Sequence, residues 1–124
     1  MKNVINLGDL SGLPTFAPPK HSGTLNHRLA HSGNGATQLA IWHGTLEPGG
    51  EAEEHVHEKM DQAFYVIGGQ CRFWLDGEEH RLAQGGFVFV PMGAPHRILA
   101  SGADALKLLV IIAPPPEENP AGPK

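Results

Sequence analysis

The stretch His55-Val-His-Glu-Lys-Met-Asp-Gln-Ala-Phe-Tyr-Val-Ile-Gly-Gly69 carries two histidines two positions apart, followed by an apolar run. On an extended backbone, residues i and i+2 point to the same face, so the rings of His55 and His57 are directed to one place. Neutral imidazole is the commonest side-chain metal ligand. One interpretation is therefore half of a metal site. The other is a pair of solvated histidines at the end of an acidic strand, and the two residues alone do not decide between them.

The composition limits the range of functions. The chain has 124 residues, which suits one domain, and its formal net charge of −4 without a basic stripe argues against nucleic acid as a partner. No apolar run approaches the roughly 18 residues that span a bilayer, and the first residues do not have the pattern of a signal peptide. The single cysteine, Cys71, cannot form an internal disulfide. We therefore expect a cytoplasmic protein with no membrane partner.

Short apolar or alternating runs, separated by glycine and proline turns, follow one another along the chain. Helical periodicity is absent, so the sequence predicts an all-β sandwich or barrel of eight or nine strands. Asp76-Gly77 is a strong signal for a two-residue hairpin turn. The expected strands are 25–30, 37–46, 51–57, 62–67, 70–75, 78–82, 87–90, 96–100 and 105–113, with a tight turn at 47–50 and at most one short strand near Val4–Leu7.

The same pattern divides the chain into three parts. Residues 1–24, rich in proline and glycine, read as an N-terminal arm; residues 25–113 form the β-barrel domain; residues 114–124 form a proline-rich tail with little to bury. The run 62–67 has no polar face, so we expect it in the middle of a sheet. We expect four phenylalanines to lie in the core: Phe64, Phe73, Phe87 and Phe89. We expect three histidines to lie on the surface: His21, His31 and His80.

Two spaced motifs resemble those of the cupins. The first cupin motif runs Gly, five residues, His-X-His, three or four residues, Glu, six residues, Gly. Here Gly49, His55, His57 and Gly69 fall in place, and Gln62 stands where glutamate is usual.

The second cupin motif runs Gly, five residues, Pro-X-Gly, two residues, His, three residues, Asn. Gly85, Pro91, Gly93 and His96 match it, and Ala100 replaces the asparagine. The motif positions agree in residue type and spacing, and the order of strands and turns resembles that of the cupins over roughly residues 37–112. The spacer between the motifs is short, as in small single-domain cupins, including quercetinase-like ones.

The resemblance implies a double-stranded β-helix, or jelly-roll barrel, with one divalent metal ion near its mouth. By position, the implied ligands are His55, His57, Gln62 and His96. A register with Asp61 in place of Gln62 is possible, since the motif tolerates a shorter spacer. We prefer Gln62, which shares a face with Phe64, and expect Asp61 to point elsewhere.

Three neutral imidazoles and an amide oxygen bring no negative charge to the ion. Such a site favours anionic ligands such as enolates, and it is compatible with zinc, nickel, iron(II), manganese or cobalt. Without a ligating carboxylate, a proton must be moved by another group. His43 and Asp61 are our candidate catalytic residues; His27 and Glu58 are further possibilities that the sequence does not separate from them.

The resemblance thus implies a metal-dependent enzyme acting on a small oxygen-rich or enolisable organic substrate. Dioxygenase-like chemistry and Lewis-acid isomerisation, cyclisation or lyase chemistry both remain open. The alternative is a non-catalytic cupin module that binds or senses a small ligand. Because cupins commonly pair by extending a sheet, we also expect a homodimer, with the N-terminal arm and the last strand, 106–113, at the contact.

Overall fold

The computed structural model describes residues 2–116, which form nine β-strands and one short 3-10 turn, Ser32–Asn34, without an α-helix. The all-β expectation is confirmed. Within this range no helix is long and apolar enough to cross a membrane. The strands are β1 (Thr15–Phe16), β2 (His21–Ala30), β3 (Ala40–His55), β4 (Asp61–Gly68), β5 (Cys71–Leu75), β6 (Glu78–Leu82), β7 (Phe87–Val90), β8 (His96–Ala100) and β9 (Leu106–Ala113).

The strands form one strongly bent, nearly closed jelly-roll barrel. Their hydrogen-bonded order is β6-β5-β8-β3-β9-β4-β7, and β2 pairs with both β1 and β3. The long strand β3 joins the two layers: its first half, Ala40–Leu46, pairs with β9, and its second half, from Glu51, pairs with β8. Because β3 belongs to both layers, it brings His55 of the first motif beside His96 at the start of β8.

The expectation of two separate strands, 37–46 and 51–57, is wrong, because a single strand, β3, covers most of both ranges. The expected turn at residues 47–50 exists only as an irregularity, since the pairing with β2 shifts from Thr24 opposite Leu46 to Ser22 opposite Glu51. Gly49 in this segment has a φ of 84°, a backbone conformation that glycine adopts readily. The extra residues bend β3 between the two layers without ending it.

The two ends of the chain also differ from expectation. No strand forms near Val4–Leu7, and β2 begins at His21 instead of Leu25. Strand β1 is too short to give a clear alternation signal. Of the predicted tail, only Pro114–Pro116 is described; the expectation of a loosely packed tail over residues 117–124 falls outside the described residues.

Two turns follow from the local sequence. Asp76 and Gly77 both have positive φ values, 51° and 80°, as a two-residue hairpin between β5 and β6 requires, so that prediction is confirmed. Gly69, the last glycine of the first motif, has a φ of 82°. A Cβ atom there would lie 2.5 Å from the carbonyl oxygen of Ala105, so only glycine fits between β4 and the start of β9.

The core fills the inside of the barrel, and only two of the four predicted core phenylalanines belong to it. Phe64 and Phe73 are buried, but Phe87 and Phe89 are 60% and 51% exposed. Both lie on β7, which is an edge strand, and they alternate with the inward-facing Val90. The run 87–90 is apolar on both faces, so its pattern could not reveal that one face is solvated. Strand β4, as expected, lies between two other strands.

Candidate metal centre and cavity

Three histidines from the two motifs meet at one end of the barrel. Residues His55 and His96 are directly paired between β3 and β8, and His57 follows two positions after the end of β3. One ring nitrogen from each of the three lies within 4.8 Å of the other two. The geometry therefore brings together the three histidines that the motifs predicted, in an arrangement that could hold a metal ion.

Hydrogen bonds orient two of these rings. Nδ1 of His55 lies 2.7 Å from the Glu53 carbonyl oxygen, and Nδ1 of His96 lies 3.2 Å from that of Ala94. A carbonyl oxygen only accepts hydrogen bonds, so each Nδ1 carries the proton and donates it. The lone pair of each neutral ring is thereby left on Nε2. Nε2 of His96 is buried without a hydrogen-bond partner among the described residues, which suits a metal ligand.

The surroundings of His96 and His57 favour the neutral forms of these two rings. Burial lowers the pKa of His96 to about 4, and His55 adds to the effect; the ring lies next to Phe64 and parallel to Phe73. Burial also lowers the pKa of His57, again with a contribution from His55. Neutral rings are required for coordination, so the lowered pKa values of His57 and His96 suit these two rings to a divalent ion.

Gln62 and Asp61, the two candidates for the fourth ligand, have different surroundings. Gln62 is 5% exposed and lines the cavity beside the histidines, and its Oε1 atom has no hydrogen-bond partner among the described residues. Asp61 is exposed, and its Oδ1 accepts a hydrogen bond of 3.2 Å from the backbone N–H of Met92. The amide therefore faces inward, while the carboxylate holds the loop that precedes β8.

A cavity of about 320 Å³ extends from the histidines into the barrel. Its wall is mostly apolar, and none of the described residues that line it carries a carboxylate. The lining residues are Pro18, Pro19, Lys20, His21, Thr24, Asn26, Trp42, Gly44, Leu46, Ala52, His55, Val56, His57, Met60, Gln62, Phe64, Ile98, Leu108, Val110, Ile112 and Pro116. The described wall therefore contributes no negative charge to the cavity.

The expectation that His21 lies on the surface is wrong. His21 lines the cavity, its ring centroid is 6.0 Å from that of His55, and burial lowers its pKa to about 4. The pairing of His21 with Ala52 on β3 brings it there. Its neighbours Pro18 and Pro19 resemble a turn in the sequence, so only the register between β2 and β3 could have revealed its position.

Neither candidate catalytic residue lies at the cavity. His43 follows the cavity-lining Trp42 on β3, so its side chain points to the outside of the barrel, where its ring lies 6.4 Å from that of His27. It is nevertheless 2% exposed, and burial, followed by His27, lowers its pKa. Asp61 is on the solvent side, as described above. The geometry thus brings together the histidine ligand candidates and Gln62 but leaves His43 and Asp61 apart from them.

A comparison with protein families finds that residues 42–112 match the cupin domain. The chain belongs to the cupin family. The match covers both motifs and every strand from β4 to β9, so the expected membership and the jelly-roll fold are confirmed.

Relatives of this cupin include proteins with different named activities. It is 34% identical over 98 residues to the tetracenomycin polyketide synthase protein TcmJ of Streptomyces glaucescens, covering 77% of this chain and 66% of that protein. It is 38% identical over 76 residues to quercetin 2,3-dioxygenase of Bacillus subtilis, covering 60% of this chain but only 23% of the enzyme.

Solved structures agree with the fold. The polyketide cyclase RemF from Streptomyces resistomycificus superposes with a TM-score of 0.75 at 20% identity, covering 89% of this cupin and 80% of RemF. At that identity the likeness shows the fold alone. The cupin spans slightly less than two thirds of TcmJ and about a quarter of the dioxygenase, so the activities named there are not transferred by similarity.

Proposed function

We propose that this cupin is a metal-dependent enzyme acting on a small oxygen-rich or enolisable organic substrate. The supporting observation is the convergence of His55, His57 and His96 at one end of an apolar cavity. In this proposal the three histidines and the Gln62 amide oxygen hold one divalent ion. Zinc, nickel, iron(II), manganese and cobalt all suit such a donor set.

The ion would supply Lewis-acid stabilisation of negative charge that develops on a substrate oxygen. The protein supplies the setting. Because no carboxylate lines the described wall, nothing there neutralises the ion or repels an enolate, and the apolar residues exclude water from the reacting end. The exposed Asp61 and the outward-facing His43 are too poorly placed for a role in proton transfer, so the proposal assigns them none.

Between the two reaction types, we favour Lewis-acid isomerase, cyclase or lyase chemistry over oxygen insertion. The amide at position 62 leaves the full charge of the ion available to the substrate, and TcmJ, a polyketide synthase protein, is similar over most of this chain. The similarity to the dioxygenase keeps oxygenation as the second candidate.

A non-catalytic binding module remains the alternative in a different class. It is favoured by the small number of titratable groups on the described cavity wall, where only Lys20 and His21 accompany the histidine ligands.

Metal exchange combined with an oxygen electrode tests these choices. The chain is purified in chelator and loaded separately with zinc and with iron(II), and each form is incubated with a panel of β-diketones and flavonols. Product formation with zinc and no oxygen uptake supports the Lewis-acid proposal. Turnover that requires iron(II) and consumes oxygen supports the dioxygenase, and tight binding without any product supports the binding module.

We also propose a homodimer, but by a different contact from the one expected. Strand β9 is hydrogen-bonded on both sides, to β3 and β4, so it cannot extend a sheet into a second copy. The outer face of β4 and β7 instead presents three exposed aromatic residues, Tyr65, Phe87 and Phe89, with Tyr65 paired directly to Phe87. Such a patch suits contact with a second chain. The cytoplasmic location inferred from the single cysteine stays a prediction.

A further inference from the structure

Strand β2 carries a buried amide on the cavity wall that the proposed metal chemistry does not use. Asn26 is 5% exposed and lines the cavity. Its neighbour Leu25 is 44% exposed. The strand thus has a polar amide on the cavity wall, while the apolar side chain next to it is exposed. No side-chain hydrogen bond joins Asn26 to any of the described residues 2–116. Its amide atoms are not among the fully buried polar atoms that lack a partner, so the amide is open to the cavity, where an oxygen atom of a ligand can reach it.

The opposite strand makes room for this amide. Asn26 is paired with Gly44 on β3, and a Cβ atom at Gly44 would lie 2.9 Å from Oδ1 of Asn26. Any larger residue at position 44 would therefore displace the amide. The next inward residue of β2, Thr24, also lines the cavity; its hydroxyl donates to the Ser22 carbonyl and keeps its lone pairs for another donor.

The strand pairings place Asn26 at a distance from Gln62 along the sheet. The pairings from Asn26 to Gly44, Leu108 and Val66 place it in the same row as Val66, four residues along β4 from Gln62. At a rise of about 3.3 Å per residue, this separates the two amides by roughly 13 Å along the strand. The wall between them is apolar, with Trp42, Phe64 and Val110 among its residues.

We infer that Asn26 is a specificity-determining residue that binds a hydroxyl or carbonyl oxygen at the end of the substrate remote from the metal. The ligand is then an organic molecule with a chelating oxygen pair at one end, a second oxygen function at the other, and an apolar body that can contact Trp42 and Phe64. The amide can both donate to and accept from that oxygen. This inference rests on the proposed function, because it takes the histidine end as the place where the chelating oxygens bind.

Two synthetic probes that differ by one distant hydroxyl test the inference. The first is 3-hydroxyflavone, which has a chelating hydroxyketone and no other polar substituent; the second is 3,4′-dihydroxyflavone. Their affinities for the zinc-loaded protein are measured by fluorescence titration. We expect the wild-type protein to bind the dihydroxy probe about tenfold more tightly, as one buried hydrogen bond commonly allows.

Two variants test whether Asn26 causes the preference for the dihydroxy probe. In Asn26→Leu, which keeps the size of the side chain, the two probes should bind equally, because 3-hydroxyflavone binds at least as well as before and the dihydroxy probe loses its advantage. Gly44→Ala leaves Asn26 in the chain but displaces its amide, and it should also reduce the preference. Thermal unfolding confirms that each variant is folded, and zinc titration should give the wild-type affinity for both.

These measurements distinguish failure of the proposed metal-dependent function from failure of the inference about Asn26. If wild-type protein fails to bind zinc, the proposed function fails. If zinc binds normally but the probes bind equally, or neither binds, or Asn26→Leu keeps the preference, then this inference alone is overturned.

Discussion

His55 and His96 occupy paired positions on neighbouring antiparallel strands, and the centroids of their rings are 4.2 Å apart. Each ring donates its Nδ1 proton to a nearby backbone carbonyl, so both present the lone pair of Nε2. Two such lone pairs at close range repel one another, and the His96 ring is buried. The pair is therefore preorganised for a cation that binds both nitrogens.

The stability of the metal-free protein should depend on pH. Folding lowers the pKa of His21 and His96 to about 4 from an ordinary value near 6.5, mainly by burial. Between these values the unfolded chain binds more protons than the folded chain. The free energy of unfolding is thus fully developed above about pH 6.5 and decreases as the pH falls toward 4.

Thermal unfolding in excess chelator measures this dependence. We expect the midpoint at pH 5.0 to lie on the order of 5 °C or more below that at pH 7.5. The variant His21→Phe, which removes one of the two groups, should show a smaller decrease. A midpoint that stays constant from pH 7.5 to 5.0 would contradict the assigned burial of these rings.

The role of Gln62 predicts opposite effects on stability and on metal binding. Replacing it with leucine removes a buried Oε1 atom that has no protein partner, so the metal-free protein should be as stable as wild type or up to about 1 kcal/mol more stable. Zinc affinity should fall about tenfold, because the fourth donor is lost. Gln62→Glu is the matched control, in which a carboxylate should strengthen zinc binding.

Urea unfolding and zinc titration of the two variants provide the comparison. Unchanged zinc affinity in Gln62→Leu, together with lower stability, would mean that the amide has a structural role and is not a ligand.

The exposed aromatic residues predict the oligomeric state. Wild-type protein should elute as a dimer in size-exclusion chromatography with light scattering, and the double variant Phe87→Lys/Phe89→Lys should be monomeric with zinc affinity retained. Val4→Lys, which changes a residue that is 92% exposed outside the patch, is the control and should remain dimeric. A wild-type monomer at concentrations near 100 μM would remove the proposed contact.

Cys71 should behave as a core residue without thiol reactivity. It is 1% exposed, and burial raises its pKa to about 11, so very little thiolate forms at pH 8. We expect Ellman's reagent to modify the native protein at least about 100-fold more slowly than the protein in denaturant. Rapid modification of the native chain would show that this part of β5 opens readily.

Local patterns predicted the parts of this molecule that depend on local structure. The strands β6, β7 and β8 begin and end where the runs 78–82, 87–90 and 96–100 placed them, and the Asp76-Gly77 turn has the expected backbone. The motifs also gave the three converging histidines, because their spacing reflects strand and turn lengths that the barrel requires.

The remaining features depend on strand register and exposure, which the sequence does not show directly. His21 reaches the cavity only because it pairs with Ala52, and Asn26 faces inward only because it is opposite Gly44. The outward faces of Phe87 and Phe89 follow from the edge position of β7. In each case, a residue whose neighbours suggested one environment was placed in another by long-range pairing.

Calorimetric titration of the metal-free protein with zinc tests the central claim most directly. The account predicts one zinc ion per chain in wild-type protein, loss of this binding in His96→Ala and His57→Ala, and wild-type binding in His80→Ala, whose ring lies outside the cluster. Circular dichroism establishes that the variants are folded. No zinc bound to wild-type protein, or equal binding by wild type and folded His96→Ala, would contradict the metal centre.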